Sequence, residues 1–434
     1  MTKTAVPVES RTRSIVMFFS GNLAASALSI VAMLLITRWT PPQQMGLWNF
    51  ALLISTYSSV LQCGVFNGLN RQLPFFQGRG DDSAIERVSS AALALCIGLT
   101  VVTIATTLGV ALVFAYLERT EVLLTTLAIG TIIGCSWGLQ YLTVTYSASM
   151  QFSQLARKGA WVALLGLPLA LLTYLAGFAG LLLRAGALAV LQVALLWWQR
   201  PIRHRTRWQP AELLALAKIG FPIWVVGQLT AMFMTLDRLV LADSLESLGY
   251  YSIAAQFAAL STMVPTAFNA VYYSQMAREY GSNHQAMALW RLAKHAAIRS
   301  TGCSLALGLA GWGLIPPFIT YVLPAYVPGI PAAQWALFAG VSMAFSTFGN
   351  IFNVLRRQEV LILSFLLGLM AFVGAWYGLT EWAQQSKLVA AAQSMLFGTL
   401  VASVMSALLS LHVCRHHDRK HAVVAVDMGG RTKS

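Results

Sequence analysis

Apolar residues in this chain come in long runs, separated by short polar interruptions, from Ile15 to Val413. A helix rises 1.5 Å per residue and the hydrocarbon core of a bilayer is about 30 Å thick, so about 20 mostly apolar residues make one crossing. The runs predict spans over 14–37, 47–66, 89–116, 122–147, 159–178, 181–199, 219–241, 250–274, 296–321, 333–354, 360–380 and 389–413. The pattern is that of an all-α integral membrane protein of about 12 transmembrane helices. An even count puts both termini on one side, and the short interruptions leave no room for a sizeable soluble domain. The polar start with Lys3, Arg11 and Arg13 leads into an apolar run too long for a signal-peptide core and without a small-residue cleavage site, so it reads as an uncleaved first span.

Composition agrees: 57% of residues are hydrophobic and 10% charged, against about 25% charged in soluble domains. An ordinary soluble enzyme is excluded. The formal charge of +14 would suit nucleic acid only if the basic residues shared one solvent face; here they cluster at helix ends, and no nucleic-acid partner is expected. Placing the N-terminus in the cytoplasm leaves only Arg38, Arg119, Arg184, Arg238 and Lys387 outside, of 29 Lys and Arg. That bias is the signature of cytoplasmic loops and orients the chain with both termini inside. The basic loops are then expected to lie against anionic membrane lipid. Cys63, Cys96, Cys135, Cys303 and Cys414 show no CxxC spacing and lie in or beside apolar runs, so no disulfide framework or metal site is expected. His416, His417 and His421 fall in a basic tail that reads as disordered rather than metal-binding.

The loop between the sixth and seventh predicted spans begins with the basic stretch RPIRHRTRWQP and divides the chain into residues 1–199, a basic linker 200–218, residues 219–414 and a tail 415–434. The two halves echo each other. A helix that starts near a glycine (Gly21, Gly220) ends in an Arg (Arg38, Arg238), and a Gly followed by aromatics (Gly46 with Trp48, Gly249 with Tyr250 and Tyr251) opens the next span. Six spans duplicated in one orientation imply two bundles related by an axis along the membrane normal, a construction used by transporters.

No catalytic constellation, Walker A sequence or cofactor motif is present in the sequence. Ionisable residues inside the membrane are costly and mark function by default; here they are Arg38, Arg184, Asp237, Arg238 and Arg299, with Arg71 just past the second span. Two readings fit the arginines: snorkelling to the headgroups, or facing a path for an anion. Asp237 is the one acid inside a predicted span. It suits a coupling proton or cation, or a structural pair with an Arg on a neighbouring helix; adjacent positions diverge, so it does not face Arg238. Polar residues within spans, among them Asn22, Asn49, Tyr146, Gln228, Asn269 and Asn350, suit sugar contacts or interhelical ties equally. Prolines at Pro168, Pro222, Pro265, Pro316 and Pro317 predict kinks.

Two stretches carry a resemblance. ITRWTPPQQMGLWNFALLISTYSSVLQCGVFNGLNRQLPFFQGRGD and GFPIWVVGQLTAMFMTLDRLVLADSLESLGYYSIAAQ resemble bacterial polysaccharide flippases of the multidrug, oligosaccharidyl-lipid and polysaccharide exporter superfamily. The first matches at Arg38, Gly46, Trp48, Gly68, Arg71 and Pro74, the second at Gly220, Phe221, Pro222, Asp237, Arg238, Gly249, Tyr250 and Tyr251. The resemblance implies two six-helix lobes in a V-shaped, MATE-like arrangement in the bacterial inner membrane. It also implies translocation of undecaprenyl-diphosphate-linked repeat units for O-antigen, capsule or exopolysaccharide. The expected partners are the lipid-linked anionic oligosaccharide and the glycan polymerase and export machinery. Arg38, Arg71, Arg184, Arg238 and Arg299 are then candidates to hold the diphosphate, with Asp237 a candidate for ion coupling. A multidrug or cation antiporter of the same superfamily would need an acid in the first lobe, where the predicted spans have none. A non-transporting scaffold for glycan assembly is a third reading.

Overall fold

The computed structural model describes residues 26, 28–283, 285–355 and 357–431. The start of the first predicted span, with Gly21 and Asn22, lies outside them, as do Lys3, Arg11, Arg13, Arg356 and Lys433. Among the described residues there is no strand. The helices are α1 (Leu28–Trp39), α2 (Pro42–Ser58), α3 (Val65–Arg79), α4 (Asp82–Tyr116), α5 (Thr120–Ala148), α6 (Phe152–Gly166), α7 (Leu171–Trp198) and α8 (Pro210–Phe233). They continue with α9 (Leu236–Leu239), α10 (Leu245–Asn283), α11 (Ala286–Val322), α12 (Ile330–Ala336), α13 (Ala339–Ala344), α14 (Gly349–Val354), α15 (Gln358–Tyr377) and α16 (Lys387–Arg431).

Eight helical stretches are long and apolar enough to cross a membrane, and a ninth is the α2–α3 pair bent by 58°. One of the eight, Phe152–Trp198, is 47 residues long, more than twice what one crossing needs. It folds back at Gly177, which adopts φ 56° and ψ −136°. The Arg184 Nε donates to the Gly166 carbonyl at 3.0 Å across 18 residues, which a straight helix would hold about 27 Å apart. Splitting this hairpin and adding α1 and the more polar α10 yields the predicted twelve crossings.

The chain divides into two compact units, Met1–Met232 and Phe233–Ser434. In the first, α5 is central. Its Trp137, Tyr141, Leu142 and Tyr146, at helical spacing, are buried together with Phe66, Leu69, Leu73, Val88, Ala92 and Leu196. α4 and α5 approach so closely that a Cβ on Gly130 would lie 2.1 Å from the Thr107 hydroxyl oxygen, and the Trp137 Nε1 donates to the Thr103 hydroxyl at 3.0 Å. α8 meets the α2–α3 break in a seam of backbone against backbone: a Cβ on Gly68 would lie 2.0 Å from the Leu216 carbonyl oxygen, and a Cβ on Gly220 would lie 1.9 Å from that of Gly64. At the start of α4, the Asp81 carboxylate accepts from the Ala84 amide at 2.9 Å and the Ser83 hydroxyl at 2.8 Å, which holds its carboxyl below the usual range.

The second unit is packed with small residues. Buried Ser261, Ser300, Ser304, Ser342 and Ser394 lie on its helices among buried alanines, and glycines set the close crossings: Gly308 against Phe338, Gly311 against Leu337, Gly398 against Phe372. Small residues let helix backbones approach where no hydrophobic effect drives them together.

Several helices run past their predicted ends. α11 starts at Ala286 instead of 296, α8 at Pro210 instead of 219, and α3 continues to Arg79 instead of 66. The tail read as disordered is also helical to Arg431, because extending an existing helix costs far less than starting one. It has a structural task. Both Asp418 carboxylate oxygens accept from the first amides of α11, Ala286 at 2.8 Å and Met287 at 2.9 Å, where Gln285 supplies no side-chain cap. Asp418→Ala is therefore expected to cost about 1 kcal/mol, read as a lowered thermal unfolding midpoint; an unchanged midpoint would show the cap to be idle.

Candidate functional site

The Asp237–Arg238 pair sits where the seventh predicted span breaks. α8 ends at Phe233, and one further turn, α9, carries both residues. Phe233 and Leu236 are buried with Phe372 and Ala402 of α15 and α16, which anchors the turn. Asp237 is 7% exposed. Its Oδ2 accepts from the Tyr251 hydroxyl of α10 at 2.9 Å, and its Oδ1 from the Arg238 amide at 2.9 Å. Among the described residues it makes no ion pair; the neighbouring-helix partner that the sequence suggests as an Arg is a Tyr. Among the described residues the guanidinium of half-buried Arg238 makes no ion pair, and its Nε is buried with no hydrogen-bond partner.

The other candidates differ from Arg238. Half-buried Arg184 is engaged by the carbonyl of Gly166, the last residue of α6, just before the Pro168 turn. Arg299, predicted about one turn into its span, lies well inside α11, is exposed and donates to the Tyr272 hydroxyl at 3.0 Å. Arg38 ends α1 and is exposed; Arg71 lies within α3, not past the end of its helix, and is exposed. Arg38, Arg71 and Arg184 belong to the first unit, and Asp237, Arg238 and Arg299 to the second.

Several polar residues in the spans are ties. Asn49 donates to the Met45 carbonyl of its own helix at 2.8 Å, and the Asn269 amide of α10 donates to the Ser346 hydroxyl at 2.9 Å while its oxygen accepts from Thr347. The Tyr146 hydroxyl donates to the carbonyls of Leu196 and Gln199 at 2.9 and 2.7 Å, at the end of α7. Lys158, one residue before the fifth predicted span, is a buried cation that donates to that hydroxyl at 2.7 Å. An ammonium near the carbonyl end of a helix is favoured by the helix dipole. Among the described residues no group of three or more His, Cys, Asp or Glu is placed to hold a metal.

No protein-family model and no curated protein matches the sequence. Solved structures do match in fold. A multidrug resistance MATE family transporter of the MOP superfamily, in an inward-facing conformation, superposes with a TM-score of 0.66 at 15% identity, covering 93% of this chain and 95% of that one. The lipid II flippase MurJ, in an inward closed conformation, superposes with a TM-score of 0.64 at 12% identity, covering 92% and 91%. The outward-facing form of a multidrug resistance MATE family transporter gives 0.64 at 15% identity over 94% and 96%. The chain is a multi-pass membrane protein with the fold of these transporters.

Proposed function

We propose that the protein is a flippase that moves undecaprenyl-diphosphate-linked oligosaccharide repeat units across the bacterial inner membrane for O-antigen, capsule or exopolysaccharide assembly, with both termini in the cytoplasm. The observation that carries the reading is Arg238: a half-buried guanidinium whose adjacent carboxylate is already occupied by Tyr251 and a main-chain amide. A cation held this way suits an anionic cargo, and a guanidinium fork matches phosphate oxygens. Arg38 and Arg71 of the first unit, exposed and without an ion pair among the described residues, stay candidates to hold the diphosphate, while Arg184 and Arg299 have protein partners. Asp237 is the candidate for ion coupling. The fold is shared with a protein titled a lipid II flippase and with multidrug transporters, so fold alone does not choose the cargo. The charge of the in-membrane residues favours an anion over a cationic drug.

Deleting the gene in its host is expected to abolish the surface polymer and to accumulate complete diphosphate-linked repeat units on the cytoplasmic face. Normal surface glycan with new sensitivity to cationic dyes would point to an antiporter instead. Complementation with Asp237→Asn tests the coupling role: a pH or sodium dependence of export that survives it unchanged removes that role.

A further inference from the structure

Two cations meet where the end of α5, the start of α6 and the end of α7 come together in the first unit. Lys158, in the second turn of α6, is 7% exposed. Its ammonium has three donors and one partner among the described residues, the Tyr146 hydroxyl, whose ring centroid lies 4.9 Å away. That hydroxyl also binds the Leu196 and Gln199 carbonyls, so the last turn of α7 is already occupied. The residue after Gln199 is the second cation. The Arg200 guanidinium lies over the Trp197 ring at 4.0 Å, and its Nη1 is buried with no hydrogen-bond partner. Arg203 follows, its Nε donating to the Arg200 carbonyl at 3.5 Å, and it stands close enough to act electrostatically on Tyr146.

Among the described residues neither Lys158 nor Arg200 makes an ion pair. The acids on neighbouring helices are spent elsewhere, Glu86 on Arg207 and Glu212 on Arg87. A buried ammonium and a buried guanidinium nitrogen with spare donors and no acid are costly to hold together, and an anion between them removes that cost. An ammonium beside a guanidinium fork suits phosphate oxygens. The source of the phosphate follows from the surroundings. Trp197 and Trp198 beside the cations and Trp208 on the linker are exposed, and tryptophans collect at the depth of the lipid headgroups.

We propose that Lys158, Arg200 and Arg203 form a site for the phosphate of one anionic phospholipid, taken from the leaflet that faces the basic linker. This is a discrete site with buried donors, distinct from the diffuse attraction of exposed basic residues to an anionic surface. A headgroup seated there neutralises the Lys158 ammonium and pins the first turn of the linker that joins the two halves. The proposal rests on the chain crossing a membrane and not on the identity of the cargo.

The test is binding of dioctanoyl-phosphatidylglycerol to the full-length protein in neutral detergent, followed by native mass spectrometry. Dioctanoyl-phosphatidylcholine and inorganic phosphate serve as comparisons. One phosphatidylglycerol is expected to bind at least about tenfold more tightly than phosphatidylcholine, and Lys158→Gln combined with Arg200→Gln should remove that preference. Arg415→Gln combined with Arg419→Gln removes the same charge from exposed positions of α16 in the other unit and should leave it unchanged. Equal binding of the two lipids by the unaltered chain would overturn the site, and this comparison stands even if Lys158→Gln fails to fold. Equal losses in the two double variants would also overturn it, since they mark diffuse attraction. Displacement of the phosphatidylglycerol by equimolar inorganic phosphate would overturn the lipid as the source.

Discussion

Gly180→Val is expected to prevent the first unit from reaching its native packing. A Cβ at this position would lie 1.9 Å from the Leu172 carbonyl oxygen and 2.4 Å from its carbon. Both are main-chain atoms, so no rotamer change relieves the overlap. The hairpin turning at Gly177 would have to open, taking α7 away from α5 and breaking the hydrogen bonds of Tyr146 to Leu196 and Gln199. Overpacking a core costs about 1–3 kcal/mol where side chains can adjust, and a backbone collision exceeds that range. The measurement is the yield of monodisperse protein and its unfolding midpoint in detergent. Gly186, on the same helix, is the control: its Cβ would meet only a Thr131 methyl at 3.9 Å, and Gly186→Ala should be tolerated. Equal yields of the Gly180 and Gly186 variants would mean that the hairpin is looser than this close crossing requires.

Arg238→Gln is expected to reduce repeat-unit export at least about tenfold with the protein still folded. A charge-assisted hydrogen bond contributes about 1.5–3 kcal/mol, and about 1.4 kcal/mol is one factor of ten. Arg238→Lys should recover part of the loss, because it keeps the charge without the planar fork. Arg184→Gln should behave in the opposite way. Its guanidinium engages the Gly166 carbonyl, so the cost falls on the unfolding midpoint and export per folded molecule persists. Pulse-labelled surface polymer normalised to folded protein separates the two. Full export by Arg238→Gln would remove this residue from the cargo path.

The number and order of crossings were legible because each is a run of apolar residues, and that pattern depends only on the thickness of the hydrocarbon. Helix ends were less legible. Asn67, Asn70, Arg71 and Gln72 look like an exit loop, yet they continue α3; Glu212 and Lys218 look like linker, yet they belong to α8. Polar residues form helices readily once water can solvate them, so hydropathy marks where a helix leaves lipid and not where it stops. The short gap between the predicted spans 159–178 and 181–199 matches the fold-back in GFAG, where Gly177 takes a φ of 56°. At the site, the Asp237–Arg238 pair was visible as charges in an apolar run, but Tyr251 as the acid's partner was not, because it follows across an intervening turn. Lys158 was missed because burial of a cation depends on tertiary neighbours.

The seam between α8 and the α2–α3 break also bears on how the chain is made. Gly64 and Gly68 leave the ribosome about 150 residues ahead of Leu216 and Gly220. At about 5–20 residues per second this is a delay of about 8–30 s. Through that interval the third to sixth crossings are made while the groove along the broken second one has no helix to fill it. The first unit is therefore finished only by the opening helix of the second half, and insertion of the early crossings and maturation of their packing are separate events in the life of the nascent chain.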